Sequence, residues 1–393
     1  MIRRAALAAF LAAPFAAQGA PLDNAYTFID TMMDMHAQGT TLRLVQGFVP
    51  TPTFDDGDVS YTYDDDVLTI ALLKRGTDDD LSRAKLLGDS IVYAQTNDPL
   101  ADGRVRNAYH SNPFLKRDGA VNVSDGGSDT GNMAWTGMGL VQLYRVTRDE
   151  TYLTAAQKIA GFIAANDTDT RGKGGYVGGF KANQTKNLWK STEHNIDCTA
   201  LFSMLFEATH DPQWKADARH ALVFVKSMWS RKGGFYWVGT LTDGKTINRD
   251  EPTPEDVQTW SYLATGLAAH QGSIDWALAN LQATSGSFQG LSFSLADRSG
   301  AWFEGTGHAA AALEARATGD DLNEAQILLN DIEIGQTSAP NADGNGIDAA
   351  SKDGLLTGDG SDAYYAALHT GATGWYCIAK QNGNPFKLLP RAK

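Results

Sequence analysis

The sequence predicts an all-α fold, a closed (α/α)6 toroid of six helical hairpins with small β-hairpins in the loops on one face. First, helical apolar patterns recur in pairs joined by very short links, and a long loop follows each pair. Second, the first helices of successive pairs begin near residues 64, 129, 193, 255, 304 and 362, and a period of about 49–65 residues is typical of repeat architectures. Third, the first and last helices are both apolar, which favours ring closure over an open helical solenoid, the less regular alternative.

The predicted helices follow one another along most of the chain. They cover residues 24–37, 64–75, 78–96, 129–147, 150–166, 193–209, 211–229, 255–270, 272–283, 304–318, 321–333 and 362–380. The links within the pairs have the lengths of tight helical hairpins. The long loops lie together at the end of the toroid where the first helices of the pairs begin, and loops on a rigid scaffold commonly carry function. Their ranges are 97–128, 167–192, 230–254, 284–303 and 334–361.

Two of these loops contain glycine-rich stretches, at 172–180 and 232–239. The second continues through Asp243-Gly244, which is a hairpin turn signal. We expect both stretches to form small hairpins that wall a cleft.

Residues 1–20 have the composition of a secretory signal peptide. Arg3 and Arg4 precede an apolar Ala/Leu/Phe stretch, and Ala17-Gln18-Gly19 offers small residues for cleavage. Pro14 and the short apolar length disfavour an uncleaved anchor. We therefore expect a secreted or periplasmic protein, cleaved near residue 19, with a single barrel domain over 21–393.

Composition and charge restrict the partners. The 393 residues are 42% apolar and 20% charged, as in ordinary globular proteins. Removal of residues 1–19, which carry Arg3 and Arg4 and no acid, changes the formal net charge from −13 to −15. A chain this acidic is not expected to bind nucleic acid or an anionic membrane.

The two cysteines are expected to be reduced. Cys198 and Cys377 lie in helical apolar patterns, so we expect buried free thiols, with one disulfide as the alternative. The sequence leaves the oligomeric state open.

Acidic and aromatic side chains gather where the first helices of the pairs begin. Any one acid is explained by helix capping or by the helix dipole. Acids recur at all six starts, however, and a closed ring places those six ends around one pocket. The starts are Asp64-Asp65-Asp66, Asp129-Thr-Gly-Asn132-Met-Ala-Trp135, Glu193-His194-Asn195-Ile-Asp197, Glu255-Asp256-Val-Gln-Thr-Trp260, Trp302-Phe-Glu304-Gly-Thr-Gly-His308, and Asp362-Ala-Tyr364-Tyr365 with His369.

Carboxylates beside aromatic platforms are what glycosidic bond cleavage needs, because a protonated acid donates to the leaving oxygen and a second carboxylate activates water or attacks. Glu193 is the first candidate for general acid, since its neighbours on the helix can tune and orient it. Asp256 and Asp64, which start opposite helices of the ring, are candidates for base or nucleophile. Glu304 is a second candidate for acid.

The candidates for substrate binding surround these acids in the sequence, and loop packing is the alternative role for the aromatic ones. The polar candidates are Asp129, Asn132, His194, Asn195, Asp197 and His308. The aromatic candidates are Trp135, Trp189, Tyr236, Trp237, Trp260, Trp302 and Tyr365.

The order of these motifs resembles that of the six-hairpin glycosidases, the (α/α)6-barrel glycoside hydrolases and related lyases. Within that superfamily, Asn132-Met-Ala-Trp135, Tyr144, Tyr152-Leu and Gly174-Gly175 are similar to the α-1,6-mannanase family. That family places two adjacent aspartates before Met-Ala-Trp, whereas this chain has Gly131-Asn132, so its catalytic pair is not carried over. The resemblance implies a carbohydrate-active barrel and does not specify its substrate.

No cofactor or metal is expected. Asn341-Ala-Asp343-Gly-Asn345-Gly346 begins like a calcium loop, but its twelfth position is Lys352, which supplies no carboxylate. The histidines lack zinc-ligand spacing, and no P-loop or dinucleotide fingerprint occurs.

Together these features predict a secreted glycoside hydrolase that cleaves a neutral oligo- or polysaccharide with a carboxylate acid/base pair. One alternative is a polysaccharide lyase or unsaturated uronyl hydrolase of the same fold, which would need a base and a cation such as His194, Tyr63 and Arg106. The other is a non-catalytic secreted carbohydrate-binding protein on a degenerate barrel.

Overall fold

The computed structural model describes residues 20–39, 41–250, 252–360 and 362–390, and the predicted signal peptide lies outside them except for residue 20. Within these ranges the chain forms twelve α-helices. They are α1 (Pro21–Asp34), α2 (Thr62–Arg75), α3 (Asp78–Thr96), α4 (Thr130–Thr147), α5 (Glu150–Asn166), α6 (Thr192–Thr209), α7 (Pro212–Ser227), α8 (Asp256–Thr265), α9 (Gly272–Asn280), α10 (Phe303–Arg316), α11 (Asp321–Ser338) and α12 (Thr370–Lys380). None of these helices combines the length and apolar character needed to cross a membrane.

The helices form a closed double ring, so the predicted toroid is confirmed and the open solenoid is excluded. Helices α2, α4, α6, α8, α10 and α12 form the inner ring, in which each contacts the next and α12 contacts α2. The outer helices α3, α5, α7, α9 and α11 each pack against the preceding inner helix, and α1 packs against α12. Tyr26 of α1 stabilises the closure of the ring between α12 and α2, because its hydroxyl donates to the Ala71 carbonyl of α2 and accepts from Gln381 Nε2 at the end of α12, both at 2.7 Å.

The short links have a local cause. Helices α2, α4, α6, α8 and α10 all end at a residue with left-handed backbone, which satisfies their last carbonyl groups and turns the chain. These residues are Gly76, Arg148, His210, Gly266 and Ala317. Thr77, Asp149 and Asp211 then cap the following outer helices with their side chains. The α10–α11 link has four residues instead of two, and the α8–α9 link is longer still and contains a short 3₁₀ helix, Ala268–His270.

Short antiparallel strands occupy the opposite end. They are β1 (Val59–Tyr61), β2 (Ala108–His110), β3 (Val123–Asp125), β4 (Ser128–Asp129), β5 (Gly179–Phe180), β6 (Lys186–Asn187), β7 (Lys190–Ser191), β8 (Trp229–Ser230), β9 (Phe235–Tyr236), β10 (Gly239–Thr240), β11 (Gln282–Ser285), β12 (Phe288–Leu291), β13 (Ile347–Asp348), β14 (Leu355–Leu356), β15 (Ala363–Tyr364) and β16 (Leu368–His369). The pairings are β1-β2-β3, β4-β5-β6, β7-β10, β8-β9, β11-β12, β13-β16 and β14-β15.

The strands correct the predicted loop structure in two places. The hairpin predicted at 232–239 forms with a shifted start, because β9 lies in this stretch but its partner β8 precedes it at residues 229–230. In the stretch 172–180 only Gly179–Phe180 is a strand, and it pairs with β4 and β6 rather than with its own stretch. The last helix begins at Thr370 instead of residue 362, because residues 363–364 and 368–369 pair in β14-β15 and β13-β16.

The C-terminal segment closes the end of the barrel where the inner helices terminate. The Phe386 ring lies 5.1 Å from Trp135 and 5.4 Å from Trp260. Gln142 holds this segment by donating to the Lys387 carbonyl at 2.7 Å and accepting from Leu389 N–H at 2.9 Å. Phe386 therefore supports the aromatic cluster in the middle of the ring. Cys198 and Cys377 are both buried and free, as expected.

Candidate active site

A cavity of about 270 Å³ lies where the inner helices begin; α2, α4, α6, α8 and α10 contribute to it, and so does His369, the N-cap residue of α12. At about 30 Å³ per water in the liquid, it has room for about nine waters, a space suited to one sugar ring. It is lined by Phe48, Tyr61, Tyr63, Asp64, Asn132, Trp135, Glu193, Asp256, Trp260, Trp302, Glu304, Tyr364 and His369.

The strands fix how the chain enters each inner helix. β1, β4, β7 and β16 lead directly into α2, α4, α6 and α12, and isolated bridges hold Pro254 and Trp302 ahead of α8 and α10. Each helix therefore begins at a fixed place on the rim, and the acids in its first turn lie near its positive dipole end. This arrangement brings side chains that are distant in the sequence around one cavity.

The structure brings all four predicted catalytic residues together, since Glu193, Asp256, Asp64 and Glu304 line the cavity. Four predicted binding residues line it as well, namely Asn132, Trp135, Trp260 and Trp302. Trp189 and His194 line a second, adjoining cavity.

Three further predicted binding residues, two of them on α6, are placed in structural positions instead. Asn195 is buried; its Oδ1 accepts from the Tyr176 N–H at 2.8 Å and its Nδ2 donates to the Tyr176 carbonyl at 3.0 Å, so it pins a loop. Asp197 is fully buried below the cavity, and Tyr236 is buried with its hydroxyl 2.6 Å from His270 Nδ1.

Four more predicted binding residues also lie outside the lining of both cavities. Asp129 occupies the N-cap position of α4, but its side chain accepts from Asn107 Nδ2 instead of capping the helix. Trp237 packs beneath Arg249. Tyr365 stacks on Phe54 at 4.6 Å. His308 is fully buried behind Glu304.

Five residues that were not predicted to bind substrate also line the cavity: Phe48, Tyr61, Tyr63, Tyr364 and His369. Tyr63 and His369 lie beside the starts of inner helices, so the acid-rich motifs at these starts are the sequence signal that could have identified them. Tyr364 lines the cavity and its neighbour Tyr365 does not, because successive side chains at the end of the strand β15 point to opposite faces. Phe48 comes from an irregular segment in which no periodicity indicates its direction.

Acids and histidines alternate in a connected chain around the cavity. Glu255 Oε2 lies 3.2 Å from His308 Nδ1, whose Nε2 is 3.6 Å from Glu304 Oε1. Glu304 Oε2 lies 3.5 Å from His369 Nδ1, and His369 Nε2 lies 3.2 Å from Asp64 Oδ2. These five residues come from α8, α10, α12 and α2 and their entries, so the chain crosses half of the ring.

This network keeps Glu304 ionised. Burial by itself would raise the pKa of Glu304, but His308, His369 and the hydroxyl of Tyr63, which donates to Oε1 at 2.5 Å, outweigh it and lower the pKa. Burial opposes protonation of His308, yet Glu255 and Glu304 raise its pKa to about 9. Glu304 is therefore held as a carboxylate, and the His308 imidazole beside it is protonated.

The environment of Glu193 has the opposite effect. Desolvation, followed by the charges of Asp256, Asp129 and Glu304, raises the pKa of Glu193 well above its usual value. Desolvation and the charge of Glu255 also raise the pKa of Asp256, to about 7. The cavity thus moves the pKa values of two of its carboxyl groups apart, raising that of Glu193 and lowering that of Glu304, the separation typical of acid/base pairs.

The second cavity has a volume of about 550 Å³ and shares Glu193 with the first. It is lined by Trp189, Lys190, Ser191, Glu193, His194, Val238, Gly239, Thr240, Leu241, Thr242, Asn248 and Asp359. The Lys190 ammonium donates to the carbonyls of Arg171 and Gly174, both at 2.8 Å, so it is engaged with the protein.

The calcium-like loop forms an internal turn. The Asp343 carboxylate accepts from the N–H groups of Asn345 at 2.7 Å and Gly346 at 2.8 Å. Across the described ranges, no group of three or more potential ligands is arranged to hold a metal ion.

No protein-family model matches this sequence, and no curated protein is significantly similar to it. Solved structures do match its fold. A family 76 glycoside hydrolase from a bovine Bacteroides thetaiotaomicron strain aligns with a TM-score of 0.64 at 12% identity, covering 92% of this chain and 77% of that one. Cellobiose 2-epimerase from Bacillus thermoamylovorans aligns with a TM-score of 0.66 at 10% identity, covering 92% of this chain and 98% of that one. A D-mannose isomerase aligns with a TM-score of 0.65 at 11% identity, covering 91% of this chain and 94% of that one. At these identities the likeness establishes the fold alone, so this chain has the same (α/α)6 toroid as these proteins.

Proposed function

We propose that the protein is a glycoside hydrolase that acts on a neutral oligo- or polysaccharide, secreted as its N-terminal sequence predicts. The observation that carries this proposal is the contrast within one cavity between Glu193, whose pKa is raised by burial and neighbouring acids, and Glu304, whose pKa is lowered by His308, His369 and Tyr63. Glycosidic hydrolysis requires one protonated carboxyl group and one ionised carboxylate.

In this proposal Glu193 donates its proton to the glycosidic oxygen as the bond from that oxygen to the anomeric carbon breaks. Glu304 either activates a water or attacks the anomeric carbon itself. The sequence suggests Glu304 as a second acid, but its lowered pKa suits a base or nucleophile better. α6 and α10 lie on either side of α8 in the ring, so the two carboxyl groups approach a sugar from different sides.

Charge supports a neutral substrate. The described lining of the first cavity contains four acids, Asp64, Glu193, Asp256 and Glu304, and no lysine or arginine. A uronate would be repelled there by the ionised Glu304, with His369 as the one basic side chain of the described lining. Arg106, which a lyase could use to neutralise the uronate, is paired with Asp98 at 2.5 Å and lies outside this lining.

A sugar isomerase or epimerase is the second candidate, because an imidazole also lines the cavity. His369 lies between Asp64 and Glu304, and a histidine with two flanking carboxylates suits proton transfer to and from carbon. Two proteins with the same fold are a D-mannose isomerase and a cellobiose 2-epimerase.

The test is NMR analysis of neutral di-, oligo- and polysaccharides incubated with the protein lacking residues 1–19. New reducing ends that disappear in Glu193→Gln and Glu304→Gln support hydrolysis. A changed sugar without new reducing ends, with solvent deuterium at the epimerised carbon and loss in His369→Asn, supports the second candidate instead. An unsaturated uronide from a polyuronide substrate contradicts both. Sugar binding without any reaction supports the binding-protein alternative.

A further inference from the structure

The second cavity has the features of a built sugar site. The Trp189 indole lines it and rests on Gly178, where a Cβ atom would come within 2.6 Å of the ring. This packing holds one side of the indole in place, and a fixed aromatic platform stacks well on a sugar face. His194 stands beside it, with ring centroids 5.5 Å apart.

His194 supplies an independent sign of a ligand. Its Nδ1 atom is buried and has no hydrogen-bond partner among the described residues. Burial lowers the pKa of His194 to about 4, so the imidazole is neutral at physiological pH and offers one donor and one acceptor. An unsatisfied buried polar atom costs about 1–3 kcal/mol, which a sugar hydroxyl would recover.

The position of Glu193 indicates which cavity holds which part of the substrate. It is the one carboxylate in the described linings that faces both cavities, whereas Asp64, Asp256 and Glu304 face only the first. The groups that act on the anomeric carbon therefore lie in the first cavity, and the acid that protonates the leaving oxygen lies between the two.

We propose that the first cavity holds the sugar whose anomeric carbon reacts, and that the second holds the neutral sugar of the leaving group, stacked on Trp189 and hydrogen-bonded to His194. This inference rests on the proposed hydrolysis for its direction, but not for the existence of the second sugar site. In the reaction the proton of Glu193 passes to the glycosidic oxygen, which keeps the electron pair of the broken bond and departs as a hydroxyl from the second cavity. A water supplies the new oxygen on the anomeric carbon.

Calorimetric titration in a Glu193→Gln background tests the second site without turnover. The probes are cellobiose, maltose and α-1,6-mannobiose, each compared with its monosaccharide. We expect at least one disaccharide to bind about tenfold more tightly than its monosaccharide, and expect Trp189→Ala and His194→Ala to remove this advantage. Leu188→Ala is the matched control, because Leu188 is the exposed neighbour of Trp189 and lines neither cavity. The inference is overturned if no disaccharide has an advantage, or if Trp189→Ala leaves the advantage intact.

Kinetics on the active protein test the direction. Trp189→Ala should lower kcat/KM for the disaccharide about tenfold and leave kcat/KM for the glycosyl fluoride of the same sugar almost unchanged, because fluoride does not occupy the second cavity. Equal losses on both substrates would overturn the direction. If the disaccharide binds more tightly than its monosaccharide in a way that depends on Trp189, but no hydrolysis occurs, the second sugar site stands and the proposed hydrolase function is rejected.

Discussion

Replacing Glu193 by glutamine should abolish proton donation while preserving the fold. Glutamine has nearly the same shape as glutamic acid and, like the protonated acid, is neutral, so the buried site loses no charge. General acid catalysis contributes about 10²–10⁴ in rate, which corresponds to about 3–5 kcal/mol of transition-state stabilisation. We therefore expect kcat on an unactivated disaccharide to fall by that factor.

The assay compares two leaving groups. A glycosyl fluoride departs without protonation, so Glu193→Gln should retain most of its rate on the fluoride while losing the disaccharide reaction. The control is Glu314→Gln at the other end of α10, where burial also raises the pKa of a glutamate, to about 7. It should retain activity on both substrates. The role of Glu193 as general acid would be refuted if Glu193→Gln hydrolysed the disaccharide at the wild-type rate. It would also be refuted if the rates on the disaccharide and on the fluoride fell equally.

Stability measurements test the protonation state of Glu193 independently. Because the folded-state pKa of Glu193 is raised, its contribution to stability is fully present below the unfolded pKa of about 4.3 and is lost as the pH rises towards the folded pKa. Relative to the wild type, Glu193→Gln should therefore gain about 1.4 kcal/mol in unfolding free energy per pH unit above that value. For Glu314→Gln the gain should level off near pH 7. A flat difference for Glu193→Gln would mean that Glu193 is ionised.

Three further changes test the supports of the site. Phe386→Ala should cost about 3–5 kcal/mol of unfolding free energy in urea because it leaves a void beneath the buried tryptophans, whereas Val223→Ala on an exposed surface should stay within about 0.5 kcal/mol; similar losses would contradict this role of Phe386. Asn195→Ala should cost about 1–3 kcal/mol, since it leaves a buried backbone N–H and carbonyl without partners; weaker sugar binding at unchanged stability would point to a substrate contact instead. His308→Gln should remove a contribution to stability that is full below about pH 6.5 and is lost as the pH rises through about 9, and should raise the pKa of Glu304, moving the acidic limb of the pH–rate profile to higher pH; an unmoved limb would separate His308 from Glu304.

Much of the fold follows from local properties of the sequence. Helical periodicity and the capping residues define the hairpins, and the apolar first and last helices predict their pairing, which the α1–α12 contact confirms. The acids at the helix starts locate the cavity, since a ring of parallel inner helices gathers those ends at one place. The prediction misplaced the start of the last helix because the pairing of residues 363–364 with β14 depends on a partner outside the helical pattern.

The sequence by itself determined the ring of hairpins, the end of the ring that carries the acids, and the four carboxylates that line the cavity. Tertiary structure alone decided which neighbour of each pair faces inward: Asp256 lines the cavity while Glu255 binds His308, and Tyr364 lines it while Tyr365 stacks on Phe54. It also decided the protonation of the acids, because desolvation and the charges of distant helices set each pKa. Spacing along the chain records the order of residues, whereas burial and electrostatic contact depend on what the completed ring places around them.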